Sequence, residues 1–194
     1  MLTAAAVMAF AFSNAQETKF GVKGGLNIAN LGGDIEDTSS KIGFHVGGFA
    51  EFKISDKFAI QPELLYSTQG AKSEGSEEGV PYDAKLNLSY LNIPVMAKFY
   101  VAEKFSLEAG PQIGFLLSAK SKFEAGDFSE DVDVKDAYES IDFGVNFGAG
   151  YDFTENLSAG VRYNLGLSNI AKTEDGEDFK INNSVFSVSV GYKF

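Results

Sequence analysis

The chain has 194 residues, 44% of them hydrophobic, with 18 Phe, 8 Tyr and 21 Gly against 4 Pro, which points to one domain of all-β structure rich in turns. There is no Cys, which excludes disulfides, thiolate nucleophiles and thiolate metal sites. A net charge of -11 argues against a nucleic-acid partner, because nothing in the chain could form the long basic stripe that releases counterions from phosphates.

The N-terminus, MLTAAAVMAFAFSNAQ, is an uncharged, Ala-rich apolar stretch that stops at Ser13, Asn14 and Ala15, with small residues one and three positions before Gln16. This is the form of a secretory h-region and cleavage site, so residues 1–15 are expected to be a signal peptide and residues 16–194 the mature domain. The basic n-region is missing, as in a leader truncated at its start. No later run approaches the ~18 to 20 apolar residues that a transmembrane helix needs, so a membrane span here would be made of strands.

Eight alternating stretches come next, at about residues 18–29, 42–54, 58–70, 86–101, 105–119, 141–152, 157–170 and 183–194. One face of the second carries Ile42, Phe44, Val46, Phe52 and Ile54; the third carries Phe58, Ile60, Leu64 and Tyr66; the sixth carries Ile141, Phe143, Val145, Phe147 and Tyr151. The last carries Phe186, Val188, Val190, Tyr192 and Phe194. The opposite face holds His45, Glu51, Lys53, Gln61, Glu63, Asp142 and Asn146. A period of two specifies a half-buried strand but leaves open whether the apolar face looks at a core or at lipid. Pro62 and Pro94 fall within strand patterns and cannot donate to a ladder, so each is expected to mark a bulge. A change of phase between Tyr90 and Leu91 supports one near Pro94.

The connections alternate strictly between tight (residues 55–57, 102–104 and 153–156) and long and polar (residues 30–41, 71–85, 120–140 and 171–182). An up-and-down meander with that rule gathers its short turns at one end and its long loops at the other, the layout of an outer-membrane barrel. Phe20, Phe52, Phe58, Phe99, Tyr100, Phe105, Tyr151, Phe153, Tyr192 and Phe194 all fall near the short-turn end, as an interfacial aromatic girdle would. The expected fold is an all-β, eight-stranded antiparallel up-and-down transmembrane β-barrel in the bacterial outer membrane, its lumen largely filled by side chains.

The final strand, ending on Phe194 with Tyr192 two positions before it, resembles the C-terminal signal that the outer-membrane insertion machinery recognises. The stretches FAIQPELLYSTQGAK, YLNIPVMAKFY and GPQIGFLLSAK resemble the Bacteroidetes-type, porin-like outer-membrane β-barrel family. That resemblance covers nearly all of the mature chain and brings no catalytic signature. It implies a non-enzymatic barrel serving envelope structure, surface interaction or limited passage of a small solute. The expected partners are outer-membrane lipid and lipopolysaccharide, and the insertion machinery during assembly, with the chain itself a monomer. The alternatives are a soluble secreted carrier of lipocalin type and, with less support, a membrane-embedded lipid-modifying enzyme.

Counted from the short turns, Lys23, Glu51, Glu63, Lys98, Glu108 and Arg162 fall about four to seven residues into their strands on the inward phase, which at ~3.3 Å per residue places them in one layer. Three bases would meet three acids there and close the lumen. His45, the one histidine, also points inward, but no nucleophile signature accompanies it, and no catalytic residue is assigned. The long connections hold 18 of the 27 acidic residues, whose spacing fits no EF-hand template, so no metal site and no cofactor is assigned. TEDGED, residues 173–178, reads as a turn before it reads as a metal site.

Overall fold

The computed structural model describes residues 17–35, 38–77, 80–126, 128–173 and 179–194. The expected signal peptide lies outside these, as do Glu36, Asp37, Glu78, Asp127 and most of the TEDGED stretch. Among the described residues there are nine strands: β1 (Glu17–Gly33), β2 (Ser39–Ser55), β3 (Phe58–Glu77), β4 (Val80–Ala102), β5 (Phe105–Ala125), β6 (Phe128–Asp133), β7 (Ile141–Asp152), β8 (Leu157–Gly166) and β9 (Ile181–Lys193). Each barrel strand pairs antiparallel with its neighbours in the order β4-β3-β2-β1-β9-β8-β7-β5, and β4 pairs with β5, so eight strands close a ring. The short β6 hangs on the far end of β5, outside the ring. Both termini of the ring meet at the short-turn end, where Phe194 N–H donates to the Phe20 carbonyl at 2.8 Å.

Burial settles which face is which. Phe20, Leu26, Ile42, Phe44, Phe143, Phe147, Val188 and Tyr192 stand exposed on the outside, while Asn27, His45, Glu51, Gln61, Glu63, Asn92, Lys98, Asn146 and Asn164 are buried within. A barrel that is polar inside and apolar outside is the reverse of a soluble carrier and is stable only when lipid covers its exterior. The aromatic girdle holds for Phe20, Phe99, Phe105, Tyr151, Phe153, Tyr192 and Phe194, with edge-on ring pairs at Tyr151–Phe153 and Tyr192–Phe194. Phe52, only 6% exposed, is a correction to it, and so is Tyr100. Its ring turns into the lumen, where its hydroxyl donates to Glu51.

The stretches 71–85 and 120–140, expected as long loops, are mostly paired strand. β3, β4 and β5 run for 20, 23 and 21 residues, about twice the ~9 to 11 needed to cross a bilayer. Their ends continue beyond the ring as a four-stranded sheet, with Lys72 paired to Lys85, Lys85 to Lys122 and Lys122 to Asp131. Strand pattern persists there with its sign reversed. Ala71, Ala84, Leu86 and Phe123 continue the inward face, while Lys72, Glu74, Asp83, Lys85, Lys122 and Glu124 continue the outward one. Judged by overall polarity the segment reads as loop, and judged by period it reads as strand. At the departure point Gly70 has φ +125°, and a side chain there would run into the Leu86 carbonyl, so only glycine fits the twist that carries β3 out of the barrel wall.

The proline expectation is also corrected. Pro62 pairs with Val95 and Pro94 with Gln112 in unbroken register, and the two shifts between β4 and β5 fall instead between Ser89 and Tyr90, where Leu117 is the extra residue, and between Tyr100 and Ala102 at the tight turn. The apparent phase change at Tyr90 is a change in the lumen, not in the strand. Leu86, Leu88 and Tyr90 are inward residues of an apolar interior, whereas Leu91 and Val95 face outward below them.

Candidate functional site

The lumen is stratified along the barrel axis. Nearest the short turns is the charged layer, and the structure brings all six residues of the expected set into one connected cluster. Arg162 on β8 grips Glu63 on β3 through two bonds of 2.9 Å and reaches Glu108 on β5 at 3.0 Å. Lys23 on β1 donates to the same Glu63 at 2.8 Å, and Lys98 on β4 bonds Glu51 on β2 at 2.7 Å and lies 3.7 Å from Glu108. The Glu63 side chain has no exposure to solvent at all. Ions this deep are tolerated only because each carboxylate meets more than one cation or donor, Gln61 adding a bond to Glu63 at 2.7 Å. Gly150 leaves the necessary room, since a Cβ there would stand 2.9 Å from Glu108 Oε1.

Sequence reasoning missed Lys193, Asp152 and Tyr100. Lys193 on β9 bonds Glu51 at 3.2 Å and Asp152 on β7 at 3.2 Å, so every one of the eight ring strands contributes a charge. The signal was present, because Lys193 lies between outward Tyr192 and Phe194 and therefore points inward. It is obscured because the apolar face dominates the pattern of the last strand.

Above the charges lies a layer of amides. Asn27 donates to Ser67 Oγ at 3.0 Å, Asn164 to Asn146 at 3.2 Å and Asn146 to Gln112 at 3.3 Å. His45 belongs here, its Nδ1 2.8 Å from Asn27 Oδ1, a histidine fixed by an amide rather than oriented by a carboxylate. The free space in these two layers is about 20 and 40 Å³, room for isolated waters and not for a conduit.

Toward the other end Asn183 bridges the amide layer and the apolar interior, donating to Asp142 at 2.8 Å and to the Tyr90 hydroxyl at 3.3 Å. Beyond Asn183 the lumen is closed by apolar packing of Leu31, Ala71, Leu88, Tyr90, Leu116, Ala119, Ile170 and Ile181. Tyr90 joins the two regimes, with its ring in this plug and its hydroxyl on the polar side. Two open bowls remain at the ends, about 590 Å³ on the short-turn side and about 310 Å³ above the plug.

A closed ring with an apolar exterior and a filled polar lumen finds its counterpart in comparison with known proteins. Residues 13–172 match the family described as outer membrane protein beta-barrel domain. The chain belongs to that family, and its place is the bacterial outer membrane. Among solved members of the same architecture, Ail, the attachment invasion locus protein of Yersinia pestis, superposes with a TM-score of 0.52 at 14% identity, covering 92% of this chain and 100% of that one. Neisserial surface protein A superposes equally, with a TM-score of 0.52 at 17% identity over 92% of this chain and 100% of that one. At such identities the likeness is one of fold. No curated protein sequence matches the chain. The family match stops at residue 172, short of β9, although β9 closes the ring between β8 and β1.

Proposed function

We propose that this outer-membrane barrel is a non-enzymatic, sealed anchor that presents a β-sheet at the cell surface, serving envelope structure and surface interaction rather than diffusion. The observation that carries this reading is the pair of barriers in series, a charged layer and an apolar plug, with only water-sized voids between them. An ion would have to be desolvated to cross the plug, at a cost that its neighbours there could not offset. His45 is held by the Asn27 amide where a general base would be oriented by a carboxylate, which supports the non-enzymatic reading.

On the same reading residues 1–15 direct export, Tyr192 and Phe194 present the assembly signal, and the chain works as a monomer in contact with lipid and lipopolysaccharide. The Bacteroidetes-type assignment rests on FAIQPELLYSTQGAK, YLNIPVMAKFY and GPQIGFLLSAK. Planar-bilayer conductance of the refolded protein, intact and with residues 126–134 deleted, tests the proposal. Neither form is expected to conduct, and stepwise channel openings in the intact protein would overturn it.

A further inference from the structure

The outer wall of the barrel carries a groove where β2 and β3 fall out of step. Between Ser40 and His45, β2 holds one residue more than β3 does between Ser67 and Ala71, so the ladder breaks there. The Thr68 hydroxyl fills the break, accepting from the Phe44 N–H at 2.9 Å and donating to the Phe44 carbonyl at 3.3 Å. Beside it a concavity of about 450 Å³ opens outward across β1, β2, β3 and β4.

One part of the groove is apolar and the other polar. Leu26, Ile42 and Phe44 line it and stand exposed toward lipid, so hydrocarbon fills what would otherwise be a void. Lys41 and Asn87 line it nearer the end that bears the sheet, with Ser89 below them. Among the described residues the Lys41 ammonium bonds the Gln69 carbonyl at 3.4 Å, and no carboxylate pairs with it. Among the same residues the Asn87 side chain makes no hydrogen bond. The nearby charges are layered. On β3, β4 and β5 the lysines Lys72, Lys85 and Lys122 pair with Glu74, Asp83 and Glu124, and on each strand the carboxylate lies two residues farther from the membrane than its lysine. Lys120 stands opposite Asn87, while Asp133, opposite Lys120, is two strands away on β6. An anionic headgroup rising from the bilayer along this wall therefore meets cations before carboxylates.

The groove crosses four strands, which at ~4.8 Å per spacing makes it about 14 Å wide. That width suits several acyl chains side by side under one headgroup, and the Asn87 amide and Ser89 hydroxyl suit a headgroup made of sugars. We propose that this groove binds one molecule of lipid A, a phosphorylated glycolipid with many acyl chains, its chains against Ile42 and Phe44 and its phosphate on Lys41. The proposal rests on the reading that the end bearing the sheet lies at the cell surface, where this lipid forms the outer leaflet. Its test does not, because a nanodisc offers lipid A from both sides, and it does not repeat the conductance measurement.

Protein with ¹³C-labelled Ile, Leu and Val methyl groups is reconstituted in phosphatidylcholine nanodiscs and titrated with monophosphoryl lipid A or with phosphatidylglycerol. The expected result is shifts at the methyls of Leu26 and Ile42 that saturate at about one lipid A per barrel, with phosphatidylglycerol binding about fivefold or more weakly. Ile141 and Leu165 face lipid on β7 and β8, across the ring, and their methyls should shift only in proportion to the lipid A added.

Lys41→Gln should weaken binding about five- to tenfold, and Lys41→Arg should keep it within about twofold of the parent. Ser89→Phe fills the groove from its lipid-facing side and should abolish saturation with Lys41 in place, and Asn87→Phe serves the same purpose if Ser89→Phe fails to fold. Three results would each overturn the proposal: shifts at Leu26 and Ile42 no more saturable than those at Ile141 and Leu165, equal affinity for phosphatidylglycerol, or undiminished binding in folded Lys41→Gln.

Discussion

Arg162 and Glu63 lie 99 positions apart in sequence and on strands that are not neighbours, yet they meet in the lumen as a bidentate pair, both bonds 2.9 Å. The contact spans the barrel rather than running along its wall, so it ties β8 to β3 in a way the sheet ladder does not. Removing one partner strands the other. Arg162→Ala is expected to destabilise the barrel by roughly 2 to 5 kcal/mol, much of it the penalty on Glu63 and Glu108 left with fewer cations. Arg162→Lys, which keeps the charge but cannot bond in parallel, should lose less. Urea unfolding in lipid vesicles measures both. An Arg162→Ala barrel that unfolds like the parent would mean that the charges contribute nothing by their packing.

The plug and the charged layer act in series, and this makes a prediction about combinations. Tyr90 is fully buried, and Tyr90→Ala should cost about 3 to 5 kcal/mol as a large-to-small change in a packed interior. It should not open a channel, because the charged layer remains below. Arg162→Ala should not open one either, because the plug remains above. The double variant Arg162→Ala/Tyr90→Ala is the form expected to leak ions in a planar bilayer. Conductance in the Tyr90→Ala single variant would show that the charged layer is not a barrier by itself.

The ring of eight strands was legible because period two is written into each strand and the turn lengths alternate. Which face met lipid was not legible from the pattern, since alternation is symmetric until burial breaks it. The charged layer was legible from distance along each strand, and Lys193 escaped because a lone inward lysine among aromatics carries no local signal of its partners Glu51 and Asp152. The sheet beyond the ring reads as loop for a physical reason. Past the membrane the solvent on the outer side changes from lipid to water, so the same alternation demands charge where apolar residues stood before. An apolar plug in the interior then mimics a phase shift within β4 at Tyr90, whereas the register shift found there comes from the extra Leu117 on β5, and Leu88, Tyr90, Asn92 and Met96 all stay inward.

Topology gives a prediction at the cell surface. Lys135 lies exposed in the 3₁₀ turn after β6, at the end bearing the sheet that extends beyond the ring, while Lys57 and Lys104 lie exposed in the tight turns at the opposite end. Trypsin added to intact cells is expected to cut after Lys135 and to spare Lys57 and Lys104 until the outer membrane is permeabilised. Mass spectrometry of the released fragments reads this directly. Cleavage after Lys57 in intact cells would invert the orientation.

The last prediction separates stability from assembly at the C-terminus. Phe194 is 71% exposed, its ring packs edge-on against Tyr192 with centroids 5.7 Å apart, and its N–H closes the final backbone bond to Phe20 at 2.8 Å. Deleting it removes one hydrogen bond at the end of a strand and one lipid-facing ring, a loss of about 1 to 2 kcal/mol in a barrel whose ladder from Gly21 to Gly33 against β9 stays intact. A targeting signal, by contrast, acts before the ring exists, when β9 is still a free strand and its terminal aromatic can be bound by another protein. Deletion of Phe194 is therefore expected to reduce the amount of barrel in the outer membrane severalfold in cells while the same variant, refolded from urea into vesicles, reaches nearly parental stability. Equal losses in the two measurements would assign Phe194 to the stability of the barrel, and full accumulation in cells would remove it from assembly.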